Sequence, residues 1–227
     1  MIFKGSNEIS NVFKGEQPIE AIYKGTELIW QNFVKGFKKL NYLESNGTQY
    51  IPLGISNPSG YRIDIKVAIT DTSTEQYIFG SRYSTGTAYL YNVVAFDKEL
   101  GFKVRTRATD TTNNVMAVQG QVYDIIGSTL SGNTYISVDG QKSEVFTGTQ
   151  ARSQRVFDLF GMCGHATTAH SSSYMRLYDC KYYSDDGITL EHHYVPAQRT
   201  EDGVVGMYDL IAKEFLTNAG TGEFIYG

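Results

Sequence analysis

The sequence predicts an all-β protein, one large antiparallel sandwich preceded by a short arm of hairpin repeats. Three observations predict it. The 227 residues include 17 Tyr, 12 Phe and 23 Gly, a mixture suited to many short strands joined by glycine turns, because aromatic rings pack well on a pleated, half-buried surface. Apolar and polar residues alternate over a dozen short stretches, with no amphipathic helical period between them. A ten-residue repeat opens the chain.

The repeat places Ile2-Phe3-Lys4-Gly5, Val12-Phe13-Lys14-Gly15 and Ile22-Tyr23-Lys24-Gly25 at equal spacing, each followed by a polar pair or triplet and then Ile9, Ile19 or Leu28. Each unit reads as strand, Lys-Gly turn, strand, and the arm as a β-meander. About thirty residues of such hairpins bury no core of their own. Residues 1–39 are therefore expected to be an assembly or docking arm, packed on copies of itself, on the main domain or on another protein, with Phe3, Phe13, Tyr23 and Trp30 as interface candidates. In the alternative the arm extends the sheet that follows, and Trp30, the only Trp, is then a core residue. Alternation lapses over 31–39, where three Lys flank a Gly, so this stretch reads as a linker and the second domain as 40–227.

Within that domain apolar alternation marks strands at 49–55, 61–69, 76–82, 88–96, 101–107, 114–118, 121–126, 134–139, 143–147, 155–162, 174–183 and 192–195. Turn signals such as Asn57-Pro58-Ser59-Gly60, Asp139-Gly140 and Asp185-Asp186-Gly187 separate them. So many short strands without helices call for two stacked antiparallel sheets.

A net charge of −4 and a pI near 5.6, with Lys and Arg scattered, provide no cationic field for phosphates, so nucleic acid is excluded as a partner. No run approaches the ~20 apolar residues that span a bilayer, and the start has no signal-peptide core. The expectation is a protein made in a cytoplasm, without membrane insertion. Cys163 and Cys180 are too few for a disulfide framework and read as two buried thiols.

Tyr42-Leu43-Glu44-Ser45-Asn46-Gly47-Thr48-Gln49-Tyr50-Ile51 resembles the first strand of concanavalin A-like (laminin-G-like) domains of bacteriophage and prophage structural proteins. Met175 to Tyr183, Gly203-Val204-Val205-Gly206-Met207-Tyr208-Asp209-Leu210 and Phe215 to Gly222 resemble the closing signature of that group. The Lys-Gly repeats are similar to segments that precede such domains in phage virion proteins. The resemblance covers roughly residues 40–227. It implies a jelly-roll sandwich at a virion surface, in a fibre or a surface decoration, as a homo-oligomer among other virion proteins and with a cell-surface glycan or a neighbouring protein as partner. A purely structural capping or assembly subunit is the alternative, and a polysaccharide depolymerase a third reading.

A glycan site needs an aromatic platform beside polar side chains. Tyr83, Tyr89, Tyr91 and Asn92 offer that mixture, and His165 and His170 lie in a polar stretch, 161–173, read as a recognition loop. The resemblance also implies a calcium option, for which Asp71, Asp110, Asp185 and Asp186 are the candidates, although no EF-hand pattern is present. Retaining glucan hydrolases of this architecture carry alternate carboxylates on one strand. Here Asp64 and Asp158 each stand without an acidic partner two residues away, so the expectation is no enzyme. Asp64 is expected to pair with Arg62 or Lys66 on its own face. Cys163 with the two loop histidines is too loosely spaced to predict a metal or an activated thiol. His192 and His193 point to opposite faces and cannot share one ion.

Overall fold

A computed structural model describes residues 33–57, 59–84, 89–107, 110–148, 151–164 and 170–227 with their side chains, and the backbone of three hairpins before them. Those hairpins follow the repeat. β1 (Phe3–Lys4) pairs with β2 (Asn7–Glu8), β3 (Val12–Lys14) with β4 (Gln17–Ile19), and β5 (Ala21–Lys24) with β6 (Glu27–Gln31), all antiparallel. The side chains of the expected interface residues Phe3, Phe13, Tyr23 and Trp30 lie outside the described residues.

The rest is a two-sheet sandwich. The first sheet runs β17 (Gln141–Lys142), β16 (Asn133–Val138), β15 (Val122–Leu130), β10 (Arg62–Ile69), β21 (Tyr174–Tyr183), β22 (Leu190–Arg199), β23 (Val205–Asp209), β24 (Glu214–Thr217). β8 (Leu43–Asn46) joins it along β21, and β25 (Ile225–Tyr226) joins β8. The second sheet runs β14 (Thr109–Thr112), β13 (Gly101–Thr106), β12 (Tyr89–Asp97), β11 (Gln76–Ser84), β18 (Asp158–Leu159), β9 (Ile51–Pro52), with β19 (Gly161–Cys163) and β20 (His170–Ser172) added at the far end of β11.

Side-chain alternation builds the core. On β10, Ile63, Ile65, Val67 and Ile69 face inward, while Arg62, Asp64 and Lys66 face out. Phe79, Val94, Phe96, Phe102 and Val104 meet them from the second sheet. Tyr61 stands at the centre with its ring edge-on to Phe79 (5.1 Å) and Phe157 (5.2 Å), contacts that each contribute about 1 kcal/mol beyond burial. Arg62 grips Asp64 through two hydrogen bonds of 2.9 and 2.8 Å, as period-two spacing requires.

Four expectations change. The stretch 31–39 is not wholly a linker: β7 (Phe37–Lys39) pairs with Ala197–Arg199 of β22. Phe33, Val34 and Phe37 pack against Val195, Ala197 and Tyr208, so apolar contact outweighs the three lysines that suggested a loop. Residues 114–118 form no strand, and of 143–147 only Phe146 pairs, in a single bridge with Thr134. Asn114 takes a left-handed φ of 59°, yet Val115 and Ala117 still pack on the core, and the added edge strand is β14. The polar stretch 161–173 is not one loop, because its two ends are β19 and β20. The expected C-terminal hairpin forms as β23 and β24, and Cys163 and Cys180 are buried, unpaired thiols.

Candidate functional site

The edge of β11 is shared by two short strands. β18 runs antiparallel to it, placing Asp158 opposite Gly80, and β19 runs parallel to it, placing Cys163 opposite Ser81. The turn between them is Phe160, buried and at a left-handed φ of 61°. β20 then returns along β19 with His170 directly across from Cys163. Glycines permit close approach on both sides of β11, Gly161 between β19 and β20 and Gly80 against β12. A Cβ on Gly161 would sit 2.1 Å from the Ser171 carbonyl oxygen, and one on Gly80 would sit 2.2 Å from the Asn92 carbonyl oxygen.

Asp158, Cys163 and His170 are thereby gathered, with one donor atom from each lying within 4.8 Å of the others. His170 Nδ1 donates to Asp158 Oδ2 at 2.6 Å. The imidazole stacks on Tyr50 at 3.9 Å with an interplanar angle of 12°. Asp158 is fully buried, and its second oxygen, Oδ1, has no hydrogen-bond partner among the described residues. Above the cluster is a cavity of about 480 Å³ whose lining includes Tyr50, Gln154, Arg155, Val156, Cys163 and His170. Burial pushes the Asp158 carboxyl up to about 6, against the pull of its hydrogen bond with His170. Burial, and then the charge of Asp158, pushes the Cys163 thiol up, with Arg155 opposing, so Cys163 rests as a thiol at neutral pH rather than as a reactive thiolate.

The expected glycan residues scatter around this pocket. His170 lines it, on a strand instead of the expected loop. Tyr83 reaches it indirectly, its ring 5.4 Å beneath the Arg155 guanidinium. Tyr89 and Tyr91 lie elsewhere, on the outer face of the second sheet, where Arg82 and Arg105 sit over their rings at 5.2 and 4.9 Å. Asn92 is a correction: it is fully buried and donates to the Asn57 carbonyl oxygen at 3.0 Å. Alternation turns it inward with Val94, away from Tyr91, so it cannot join an exposed platform. His165 lies outside the described residues. Sequence reasoning weighed Asp158 and Cys163 separately and missed Tyr50. A strand pairing that sets residues 163 and 170 opposite each other leaves no local signal.

Three of the four calcium candidates are spent on turns and ion pairs, and the fourth, Asp185, is exposed. Asp71 accepts from the Ser73 backbone and hydroxyl, and Asp186 from Ser184, Ile188 and Thr189. Asp110 is paired with Arg105 and lies 3.5 Å from the Lys103 ammonium. These carboxylates form no convergent cluster among the described residues. His192 and His193 bind different carboxylates, Asp209 and Asp179. A wider groove of about 810 Å³ crosses the outer face of the first sheet. Of its charged lining residues, Asp64 pairs with Arg62, and Asp179 with His193 and Lys181.

No family model matches the chain, and no curated protein matches it. Solved structures do. A Bacteroides ovatus protein described as a candidate carbohydrate binding protein aligns with 84% of this chain and 60% of its own length, at 13% identity and a TM-score of 0.54. Trypanosoma rangeli sialidase in complex with 2,3-difluorosialic acid aligns with 66% of this chain and 27% of its own, at 16% identity and a TM-score of 0.46. A mutant of that sialidase displaying trans-sialidase activity aligns with 59% and 22%, at 13% identity and 0.41. The chain thus spans between about a fifth and three fifths of the length of these proteins. The expectation of no enzyme is withdrawn: sialidases stand among the matching structures, and alignments at 13–16% identity with TM-scores of 0.41 to 0.46 decide neither for nor against a reaction here. The chain is an all-β, two-sheet antiparallel sandwich of the kind found in a candidate carbohydrate binding protein.

Proposed function

We propose that this sandwich is a glycan-binding module and that the cavity beside Tyr50 and His170 is its subsite. One observation carries the reading: the Tyr50–His170 stack forms an aromatic wall in a cavity of about 480 Å³ that also holds Gln154 and Arg155. A sugar needs an apolar face to lie against and donors and acceptors for its hydroxyls, and this wall supplies both. The fold shared with the Bacteroides ovatus protein supports the same direction.

The setting is part of the proposal. From the motif resemblance we propose a phage virion as its setting, in a fibre or a surface decoration, where the arm would join it to copies of itself or to neighbouring virion proteins. The strand–turn–strand repeat of the arm, seen as three separate hairpins, supports an assembly role, because such hairpins lack a core of their own.

A glycan array with the full chain, followed by calorimetry on its hits, tests the binding reading. Tyr50→Ala is expected to abolish binding, and Tyr89→Ala on the outer face to leave it unchanged. The reading fails if no glycan is bound, or if Tyr89→Ala and not Tyr50→Ala removes binding. An array without hits from protein that still assembles would favour the purely structural subunit. Light scattering on the full chain and on residues 33–227 tests the arm, with a multimer expected only for the former.

A further inference from the structure

The geometry points to a transition-metal site, selective for zinc or cobalt, formed by Cys163 Sγ, a ring nitrogen of His170 and a carboxylate oxygen of Asp158. This goes beyond glycan binding and does not depend on it. Three observations converge. The three side chains are the one group of this kind among the described residues, with donor atoms within 4.8 Å of one another. Two of the three are held by a direct cross-strand pair, Cys163 with His170, so their approach is set by the sheet instead of by loop conformation. Asp158 is fully buried, and its Oδ1 meets no donor among the described residues. A buried carboxylate oxygen without a partner costs on the order of 1–3 kcal/mol, and a cation is the partner that its charge favours most.

The donor chemistry selects the ion. Thiolate, imidazole and carboxylate together suit zinc, with bonds near 2.3 Å to sulfur and about 2.0–2.2 Å to nitrogen and oxygen. Calcium and magnesium prefer oxygen alone and gain nothing from the sulfur. Zinc ligands in a tetrahedral site lie roughly 3.3–3.7 Å apart. The present donors need only close from 4.8 Å at the widest, while the 2.6 Å His170–Asp158 contact opens as the metal takes the place of the shared proton. On binding, the Cys163 S–H bond breaks and its proton leaves to solvent, the His170 Nδ1 proton shared with Asp158 is exchanged through solvent to Nε2 so that the neutral ring keeps one N–H, and zinc–sulfur and zinc–nitrogen bonds form with no change of oxidation state. Three protein ligands leave a fourth position. Because Cys163 and His170 line the cavity, that position faces it, where water or a hydroxyl or carboxylate of a bound molecule would complete the shell.

The test uses the full chain purified in the presence of chelator, exchanged into chelator-free buffer and titrated with cobalt and then zinc. The expected result is one cobalt per chain, with a near-ultraviolet thiolate-to-cobalt charge-transfer band and strong visible bands of four-coordination, both bleached by one equivalent of zinc. Cys163→Ser should remove the charge-transfer band, and Asp158→Asn should weaken zinc binding by at least tenfold. Cys180→Ala should keep the band, which assigns it to Cys163. Should Cys163→Ser fold poorly, Cys163→Ala read by the same band and by circular dichroism replaces it. A wild-type protein without the band, a band that survives loss of the Cys163 thiol, or unchanged zinc affinity in Asp158→Asn would each overturn the site. None of these readouts involves a sugar, so their failure leaves the glycan reading standing.

Discussion

Two histidine–aspartate pairs in this sandwich share one contact geometry and differ in everything around it. His192 Nδ1 meets Asp209 Oδ2 at 2.6 Å, and His170 Nδ1 meets Asp158 Oδ2 at the same distance. Both carboxylates are buried. Asp209 also accepts backbone N–H groups from His193 (3.2 Å), Ile211 (2.9 Å) and Ala212 (3.2 Å). Burial works against its charge, yet His192 and these amides together hold its carboxyl below the usual carboxylate range. Among the described residues Asp158 has His170 alone, and burial wins. The difference teaches that the number of donors, not the depth of burial, decides whether a buried carboxylate serves the fold or stands ready for a ligand. Asp209 ties off the turn between β23 and β24, whereas Asp158 keeps an oxygen with no partner among the described residues.

The sharpest way to break this comparison is to delete each carboxylate. Asp209→Ala strands the three backbone donors and the His192 imidazole, and should cost about 3 kcal/mol of stability in denaturant unfolding. Asp158→Asn should act in the opposite sense. Its carboxyl is held near 6, about two units above an ordinary aspartate, which places on the order of 2–3 kcal/mol of strain on the folded protein at pH 7. The amide keeps an acceptor for His170 without the charge, so this variant should unfold at a higher denaturant midpoint, by about 2 kcal/mol. Equal destabilisation by both substitutions would sink the distinction.

The pH dependence of stability should split the same way. Asp209 is depressed in the folded state, so its contribution is present above the unfolded carboxylate value and is lost as the pH falls through the folded one. Asp158 is raised, so with chelator present its folded form is favoured most below about pH 4, and the advantage disappears as the pH rises to about 6. Unfolding curves of wild type minus Asp158→Asn should therefore slope downward between about pH 4 and 6. The same difference for Asp209→Asn should slope upward from acid. Two curves of the same sign would refute the assignment of causes.

The two regions were not equally legible. The turn at Asp209 could be read from Tyr208-Asp209-Leu210 and Phe215-Leu216, because a hairpin is written in adjacent residues. The core could be read from alternation on β10 and β12, where a period of two fixes which side chains meet. The same rule, applied to Tyr91 and Asn92, would have put them on opposite faces and removed Asn92 from the platform. The pocket could not be read. It depends on β18 and β19 sharing one edge of β11 in opposite directions and on a left-handed Phe160 between them. Tyr50, more than a hundred residues from His170, carries no sign of the ring it stacks on. Phe33, Val34 and Phe37 were legible as apolar but not as sheet, since their partners on β22 and β23 are about 160 residues away.

The smallest effect tests the argument most finely. His192 is one of four donors to Asp209, and His170 is the single donor to Asp158 among the described residues. Removal of the imidazole should therefore matter less at the better-served site. His192→Gln leaves the three amides in place, and its cost should stay at about 1 kcal/mol, the net worth of one hydrogen bond. His170→Gln should weaken the Asp158 contact and lose the stack on Tyr50, for about 2 kcal/mol at pH 7. The gap should narrow at pH 4, where the Asp158 carboxyl takes up its own proton. Denaturant midpoints of the two variants at both pH values measure it. A His192 cost as large as that of His170 would mean that the amides of the turn do not hold Asp209, and that donor count is not what separates the two pairs.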